Sequence, residues 1–398
     1  MRLRARWAPA ALLLIAPLIG STEATADTGS GGVPVRQSAR AVPGQYIVTL
    51  EPELSTDTVL RQFGLRAMFT YGDIARGFAA TLTPGQLSAV RAFPGVRSVE
   101  ENGEVAVVPT ASDAEAAGLR TSAATWGQDR IDQRLLPLDD TFTTAATGRG
   151  VTAYIVDTGI ETGHSEFGGR AVSGFDAVAD GRDGQDCNGH GTHVAGTVGG
   201  ATYGVATSVS LVGVRVLDCQ GQGTWAGILA GLDWVVEDAT ASGRPAVLNA
   251  SLGGEKSQTV DEAIDAVAEA GVLPVVAAGN DSADACDVSP AGAGRVVTVG
   301  ATDDGDRQTA FSNWGTCLEL YAPGQGIVSA GLGGGSVALD GTSMASPHVA
   351  GVAALHKEAD PAMSPETLAK RLADEATPGV LTSLSPGSPD RLLYTGGL

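Results

Sequence analysis

Basic residues are scarce in this chain of 398 residues. Lysine and arginine number 25 against 45 aspartates and glutamates, and the formal net charge is −20 at pH 7. A chain this acidic repels nucleic acids and anionic membrane surfaces, so we expect neither as a partner. The charge suits a soluble exported protein, which we expect to be a monomer, and it leaves carboxylates available for calcium.

Long apolar runs are also missing. The run from Trp7 to Ile19 contains two prolines. It is shorter than the roughly 20 apolar residues that a membrane anchor needs. Three arginines precede it, and Ala24-Thr25-Ala26 follows as a small-x-small cleavage motif. This pattern predicts a signal peptide over residues 1–26 and therefore a secreted protein.

Cysteine is rare as well, with four in the chain: Cys187, Cys219, Cys286 and Cys317. Four cysteines allow three pairings, and export favours disulfides over free thiols. No Cys-x-x-Cys spacing supports a zinc site. A metal site that uses Cys187 near His190 is the alternative reading, which the absent spacing disfavours.

Changes in composition divide the rest of the chain into four parts. Residues 27–42 are rich in glycine and serine and predict a flexible spacer. Residues 43–109 read as a small α+β unit in the order of a split βαβ motif. Residues 110–125 are small and polar, which is typical of a linker. Residues 126–398 alternate apolar strands with helices, which predicts an α/β fold with a mostly parallel sheet covered on both faces.

In that last part the predicted strands are 151–156, 211–217, 246–249, 272–278 and 296–301, and the predicted helices are 226–239, 260–270 and 344–356. Active sites in parallel sheets gather at the carboxyl ends of the strands. Polar residues that follow these strands are therefore the first candidates for chemistry.

Two motifs carry a candidate acid–base pair. Val156-Asp157-Thr158-Gly159 ends a strand, where a carboxylate can orient an imidazole, although an aspartate there is more often a turn residue. Residues 188–197 place His190 and His193 in a glycine-rich frame at a helix start. A lone histidine is more often structural, and two histidines three apart also raise a metal reading.

Two further motifs carry a candidate nucleophile and an amide. Ser343, in Gly341-Thr342-Ser343, lies at a helix start, where free backbone N–H groups face developing negative charge. Pro347 is close enough to that start to be tolerated. Asn280 follows an apolar strand and can donate to an oxyanion. In isolation, Ser343 reads as an N-cap and Asn280 as a turn residue.

Together the four motifs are specific. The order Asp157, His190, Asn280, Ser343, each in its own glycine-rich frame, resembles the subtilisin family of serine peptidases, whose triad follows this order and whose oxyanion hole uses an asparagine. Residues 126–132, 186–190 and 312–315 resemble the proteinase K branch, and especially its aqualysin-like members. The resemblance implies a three-layer subtilisin-like fold preceded by a ferredoxin-like inhibitor-type propeptide.

The resemblance also implies a mechanism and a maturation route. Asp157, His190 and Ser343 would form the catalytic triad of a secreted serine endopeptidase, and Asn280 would complete the oxyanion hole. The propeptide would assist folding, cap the cleft and be removed by self-cleavage near Leu119. The disulfides would be Cys187–Cys219 and Cys286–Cys317, each closing a loop of about 30 residues worth roughly 3 kcal/mol.

Substrate contacts follow from the same resemblance. A protein substrate would lie as an added strand between two segments and fill a pocket with small, uncharged walls, which favours apolar or aromatic side chains before the cut. The segments are Gly221, Gln222, Gly223 and Ser251, Leu252, Gly253; the pocket walls are Ala277, Ala278, Gly279 and Ala285. Trp225 would wall a more distant subsite, and a surface or core aromatic is the competing reading.

Calcium is the expected cofactor, in a structural role, because clustered side-chain and carbonyl oxygens suit a hard cation. The first candidate site is Asp129, Asp132, Gln133, Asp139 and Thr141, and the second is Gly294, Val296 and Glu319. The family usually has aspartate where Glu319 stands.

Two other functions compete with the endopeptidase. A lipase-type esterase needs a Gly-x-Ser-x-Gly elbow with the serine first in chain order, whereas Ser343 comes last and lacks that frame. A catalytically inactive binding homologue would lack a member of the triad, and none is missing here.

Overall fold

The computed structural model describes residues 32–107, 110–111 and 125–398. The predicted signal peptide, the maturation region near Leu119 and most of the predicted linker lie outside these residues. Below, residues 32–107, which contain most of the predicted propeptide, are called the pro-region, and residues 125–398, the predicted peptidase domain, are called the peptidase region. No helix in the described parts of the chain is long and apolar enough to cross a membrane.

The pro-region is a small sheet with two helices. Its strands are β1 Val35–Arg36, β2 Ala41–Leu50, β3 Ala67–Tyr71, β4 Gly77–Thr81 and β5 Val96–Ala106, and its helices are α1 Thr56–Gln62 and α2 Pro84–Arg91. The strand order β1-β5-β2-β4-β3 contains the ferredoxin-like arrangement that was expected. Thr83 starts α2 with a capping box to Gln86, followed by Pro84 at the first helical position.

The folded part of the pro-region begins earlier in the chain than predicted. Strand β1 and the first residues of β2 lie within 27–42, the segment that was expected to be a flexible spacer. Val35 and Arg36 pair with Val99 and Glu100 of β5, so strand pairing with a distant segment orders residues that look like a linker by composition.

The peptidase region is built on a nine-stranded sheet. From residue 110 onward the elements are β6 Thr110–Ala111, α3 Trp126–Ile131, β7 Thr152–Asp157, β8 Ala171–Asp176, α4 His190–Gly199, β9 Ser210–Arg215, β10 Gln222–Thr224, α5 Trp225–Ser242, β11 Ala246–Ala250, β12 Gly254–Glu255, α6 Gln258–Glu269, β13 Leu273–Ala277, β14 Val288–Ser289, β15 Val297–Thr302, β16 Leu320–Pro323, β17 Ile327–Ala330, β18 Ser336–Asp340, α7 Thr342–Ala359, α8 Pro365–Glu375, β19 Thr377–Pro378 and β20 Arg391–Leu392. The sheet order is β19-β20-β16-β15-β13-β11-β7-β9-β8.

Every pairing in that sheet is parallel except β19 with β20. The central strands are buried on both sides, which matches their continuous apolar sequence. One core contains residues of α4 and α7, such as Val194 and Val349, and the other contains residues of α5 and α6, such as Leu229 and Ile264. The expected three-layer α/β fold is therefore confirmed.

The pro-region packs on the layer formed by α5 and α6. Ile47, Tyr71 and Val105 belong to the same apolar cluster as residues of these helices. The side chain of Asn102 accepts a hydrogen bond of 2.9 Å from the backbone N–H of Ala226 in the first turn of α5. Because the first N–H groups of a helix have no partner within it, this contact satisfies a group that would otherwise need water.

Candidate active site

Asp157 and His190 form a buried hydrogen-bonded pair. Asp157 ends β7 and His190 begins α4, and 2.7 Å separates Asp157 Oδ1 from His190 Nδ1. Both side chains are shielded from solvent. Gly189 has φ +105°, and a Cβ on Gly191 would lie 2.1 Å from the carbonyl oxygen of Gly159. The glycine-rich frame therefore lets α4 begin directly against the strand end.

The charge state of His190 reflects two opposing influences. Burial by itself would lower the pKa of His190, because it disfavours the charged ring. The charge and hydrogen bond of Asp157, together with the charge of Asp186, outweigh it and raise the pKa above its ordinary value. His190 Nε2 has no hydrogen-bond partner among the described residues, so this atom is available for proton transfer.

Ser343 lies in the first turn of α7 and is 8% exposed. Its hydroxyl donates to the backbone carbonyl of Ser251 at 3.2 Å rather than to His190. The structure thus contains the predicted hydrogen bond between Asp157 and His190. It does not contain the predicted hydrogen bond between the Ser343 hydroxyl and His190. Nucleophile–base hydrogen bonds are often long without substrate, and the predicted triad would require Ser343 to turn toward Nε2.

Pro347 explains how the backbone of Ser343 is held. A residue at position 347 would normally donate its N–H to the carbonyl of Ser343, four residues earlier, but proline has no N–H. The hydroxyl of Ser251 donates to that carbonyl instead, at 2.8 Å. Asn249 in turn donates to Ser251 Oγ at 2.9 Å and accepts from Ser346 at 2.7 Å. Sequence analysis missed Asn249 and Ser346, whose relevance appears only when β11 and α7 are packed together.

Asn280 is oriented by the residue that precedes the nucleophile. Its Oδ1 accepts from both the backbone N–H and the hydroxyl of Thr342, each at 2.9 Å. This leaves Nδ2 to donate, and Asn280 lines the same cavity as Ser343. Asn313 supports the loop by donating to the carbonyl of Ala278 at 2.9 Å and accepting from two backbone N–H groups. Gly279 has φ +102°, and a Cβ there would collide with Asn313.

The end of the pro-region lies between the two segments that were predicted to bind substrate. Strand β5 pairs antiparallel with β10, with Ala106 opposite Gln222 and Val105 opposite Gly223. Ala106 also bridges to Gly253 on the other side. The backbone N–H of Val107 donates to the carbonyl of Gly221 at 2.9 Å. The chain of the pro-region therefore adds a strand to the cleft.

Two further residues before the peptidase region, Thr110 and Ala111, also pair with it. The backbone of Thr110–Ala111 pairs antiparallel with Asp340 and Leu339, just before Ser343. The precursor chain therefore also pairs with the strand that leads into Ser343.

The predicted pocket residues divide into two groups. Ala277, Ala278 and Gly279 line one cavity with Ser251, Leu252, Gly253, Asn280 and Ser343. Ala285 is fully buried in a cluster with Leu318 and is not among the residues that line this cavity. Trp225 is 1% exposed, because Gly103 of the pro-region and Gly254 cover its ring.

Both disulfides pair as the resemblance implied. Cys187 is bonded to Cys219, and Cys286 to Cys317. The metal reading for Cys187 is therefore wrong, since a disulfide sulfur is not a thiolate ligand. Within the described residues, one group of three potential ligands gathers closely, and it consists of Asp180 and the sulfurs of Cys187 and Cys219.

The first predicted calcium segment concentrates negative charge without forming a tight carboxylate cage. Asp129 accepts from the backbone N–H groups of Asp139 and Asp140, and Asp132 accepts from that of Thr143. Burial raises the pKa of Asp129 and Asp132, and neighbouring carboxylates raise both further. The amide nitrogen of Gln133 faces the carbonyl of Pro137 at 2.9 Å. The oxygen-rich donor set suits a hard cation, which would offset this repulsion.

The second predicted calcium site gathers around Glu319. Gly294, Val296 and Glu319 line one cavity at the amino ends of the central strands. Burial raises the pKa of Glu319 to about 7, although its Oε2 accepts a backbone hydrogen bond of 2.6 Å from Thr298. A carboxylate that is costly to ionise in the free protein fits a site where a cation offsets its charge.

Comparison with known proteins decides the family. The profile described as Subtilase family matches residues 148–393, and that described as Peptidase inhibitor I9 matches residues 64–107. The chain belongs to the subtilase family. The structure of a cold adapted subtilisin-like serine proteinase is similar, with a TM-score of 0.67 and 50% identity over 69% of this chain and 99% of that one.

Curated relatives cover both regions of this subtilase. The Extracellular serine proteinase of Thermus sp. (strain Rt41A) is 44% identical over 97% of this chain and 94% of its own. The Cuticle-degrading protease of Metarhizium anisopliae is 37% identical over 97% and 99%. Alkaline serine exoprotease A of Vibrio alginolyticus is 46% identical over 86% of this chain, which spans 62% of that relative. This subtilase is a serine endopeptidase with an inhibitor-type propeptide.

Proposed function

We propose that this subtilase is secreted as an inactive precursor and hydrolyses protein substrates with Asp157, His190 and Ser343 as its triad. The observation that carries the proposal is the pro-region chain beside Ser343, which pairs with β10 on one side and with Gly253 on the other. An extended polypeptide substrate would use the same backbone groups, and backbone pairing tolerates many sequences.

The mechanism follows from the atoms that are free to act. Ser343 Oγ attacks the scissile carbonyl while His190 Nε2 takes its proton and later returns it to the leaving amine. Asp157 holds the ring tautomer through Nδ1 and stabilises the charged ring. Asn280 Nδ2 and the backbone N–H of Ser343 bind the oxyanion.

The small residues that line the cavity determine which substrate side chain is preferred before the cleaved bond. Ala277, Ala278 and Gly279 carry no charge and leave room for a large side chain, so apolar and aromatic residues are favoured there. Trp225 becomes available to a more distant subsite once Gly103 of the pro-region leaves. Ala285 supports this wall from behind, since Ala278 belongs to the same buried cluster.

Maturation follows the layout of the chain. Residues 1–26 direct export, and the Thermus relative that is named as extracellular supports this. The pro-region then helps the peptidase region fold and occupies its cleft until self-cleavage in 110–125, near Leu119. The released enzyme is a monomer that acts on proteins, and its own propeptide is its first inhibitor.

Calcium has a structural role in this proposal. One ion is held near Asp129, Asp132, Gln133, Asp139 and Thr141, and a second near Gly294, Val296 and Glu319. Bound calcium would neutralise clustered carboxylates and so stabilise loops that otherwise repel themselves.

The proposal is tested with casein, an ester substrate and peptides that differ only in the residue before the cut. The wild-type enzyme should cleave casein, prefer phenylalanine or leucine over lysine or glutamate, and be blocked by a serine-directed inhibitor. Ser343→Ala should remain an uncleaved precursor without activity. Casein cleavage by that variant, or ester hydrolysis without peptide hydrolysis by the wild type, would refute the assignment.

A further inference from the structure

Asp186 is a buried carboxylate that the proposed mechanism does not use. It precedes Cys187 in the loop before α4 and is 8% exposed. Its Oδ1 accepts from the Thr158 hydroxyl and from the backbone N–H groups of Asn188 and Gly189, each at 2.9 Å. Its Oδ2 accepts from the N–H of Thr192 at 2.9 Å and from its hydroxyl at 2.6 Å. Five donors therefore converge on one side chain.

These contacts join the two elements that carry the catalytic pair. Thr158 follows Asp157 at the end of β7, whereas Thr192 lies two residues after His190 in α4. An ionised carboxylate only accepts hydrogen bonds, so both threonine hydroxyls must point their protons at Asp186. Their lone pairs then face outward. Thr158 Oγ1 accepts from the N–H of Gly191 at 2.9 Å, and Thr192 Oγ1 accepts from the N–H of Glu161 at the same distance.

The position of the start of α4 relative to the end of β7 would therefore depend on the charge of Asp186. If Asp186 could not accept, the hydroxyl of Thr158 would be free to rotate, and its bond to Gly191 would lose its fixed geometry. Gly191 lies against Asp157, since a Cβ on it would approach Asp157 Oδ1 to 3.2 Å. A small shift there would change the distance between Asp157 and His190, and catalytic rates respond steeply to such misplacement.

We infer that Asp186 is a positioning residue of the active site: it locks the end of β7 to the start of α4 and places a second negative charge near His190. The inference rests on the proposed function, in which His190 is the general base. The charge of Asp186 would stabilise the imidazolium that forms during the reaction.

Three other titratable or charged groups near His190 have to be compared with Asp186, and none of the three would supply the same second negative charge. Asp157 contacts the ring directly. His193, the next histidine in α4, is fully buried with its pKa lowered by burial to about 3, so it is neutral. Arg215 lies beyond the disulfide, with Nη2 at 3.3 Å from Cys187 Sγ, and is paired with Asp176 and Asp180.

The first test is the pH profile of kcat/KM for Asp186→Asn in the mature enzyme. Loss of a negative charge lowers the pKa of His190, so the acid limb should move to lower pH. kcat should fall roughly 10- to 100-fold with little change in KM, because substrate contacts are untouched. Thr158→Val keeps the charge but breaks the link, so it should lower kcat and leave the acid limb in place.

Asp303→Asn is the matched control. Asp303 accepts from the backbone N–H groups of Gly305 and Arg307, at 2.9 and 3.0 Å, and is ion-paired with the Arg307 side chain, so these partners lie outside the triad. An acid limb and kcat for Asp186→Asn equal to those of this control would overturn the inference. If instead Ser343→Ala retained activity, the proposed function itself would fail.

A second measurement covers a variant that fails to mature. In the Ser343→Ala precursor, the ring nitrogens of labelled His190 can be titrated by NMR without any activity. Addition of Asp186→Asn should lower the measured pKa of His190, whereas addition of Asp303→Asn should not. Identical titration curves for the two double variants would overturn the inference.

Discussion

Asn280 depends on Thr342 for its orientation. An asparagine amide can present either its oxygen or its nitrogen to a ligand, and only the nitrogen stabilises an oxyanion. The two donors of Thr342 bind Oδ1 and so leave Nδ2 as the atom of the amide that can donate to a ligand. Thr342, which orients the proposed oxyanion donor, thus directly precedes Ser343, the proposed nucleophile, at the start of α7.

Replacement of Asn280 by alanine should lower kcat by about 10²- to 10³-fold and leave KM nearly unchanged, because the lost bond forms only in the transition state. Steady-state kinetics on a single peptide substrate measures this. The melting temperature of the variant shows whether loss of the hydrogen bonds to Thr342 has also destabilised the fold. A proportionate rise in KM with unaltered kcat would mean that Asn280 only binds substrate.

Helix α7 contains a proline, Pro347, close to its start. Pro347 removes a helical hydrogen bond inside the first turns, and the Ser251 hydroxyl replaces it at the carbonyl of Ser343. A buried carbonyl without a partner costs about 1–3 kcal/mol. The proline and the serine therefore form a coupled pair across β11 and α7.

A double-mutant cycle should detect this pair. In the inactive Ser343→Ala precursor, Ser251→Ala should lower the free energy of unfolding by about 1–3 kcal/mol. Addition of Pro347→Ala should recover part of the loss, since alanine, unlike proline, can donate a backbone N–H to the stranded carbonyl. Denaturant unfolding of the four variants gives the coupling energy. Strict additivity would show that the two residues act independently.

Prediction of secondary structure from the sequence succeeded where the residue pattern of a single segment was sufficient. Continuous apolar runs such as 272–278 predict buried strands, and β13 is observed at Leu273–Ala277. Strand β3 was missed because Ala67–Tyr71 is short and only its last residue is buried. Asp186, Asn249 and Ser346 were missed as site residues because their partners lie on other elements, and motif reading does not supply those contacts.

At the scale of the whole molecule, negative charge is both abundant and unevenly placed. Asp129, Asp132 and Glu319 are shielded enough for burial to raise the pKa of each. Ionised carboxylates in such positions oppose folding unless something offsets them. Bound cations would do so over several loops at once.

Calcium removal should therefore lower the melting temperature of the mature enzyme. Binding to the native state alone stabilises it, so the shift should grow with calcium concentration. Asp129→Asn and Glu319→Gln should each reduce the difference between melting temperatures with and without EDTA, whereas Asp303→Asn should not. An EDTA shift that is equal in all four proteins would exclude both proposed sites.

The proposed latency of the precursor would depend on close contact between the two regions. Gly103 in β5 lies over Trp225, and a Cβ at that position would approach the indole Cδ1 and the hydroxyl of Ser38 to 2.9 Å each. Gly85 in α2 of the same pro-region has nothing within 4 Å of such an atom. Substitutions at these two glycines can therefore distinguish a change in the interface between the regions from a change within the pro-region itself.

Gly103→Val should lift the end of β5 from Trp225 and weaken the strand pairing with β10. In the Ser343→Ala precursor, added active enzyme should then degrade the pro-region faster, and tryptophan fluorescence should shift as Trp225 meets water. Gly85→Ala should behave like the parent in both measurements, because its side chain has free space. Equal degradation rates and spectra for all three precursors would mean that the indole is not what holds the pro-region in the cleft. Occlusion would then rest on the other contacts between the regions, among them the backbone pairs of Val105, Ala106 and Val107.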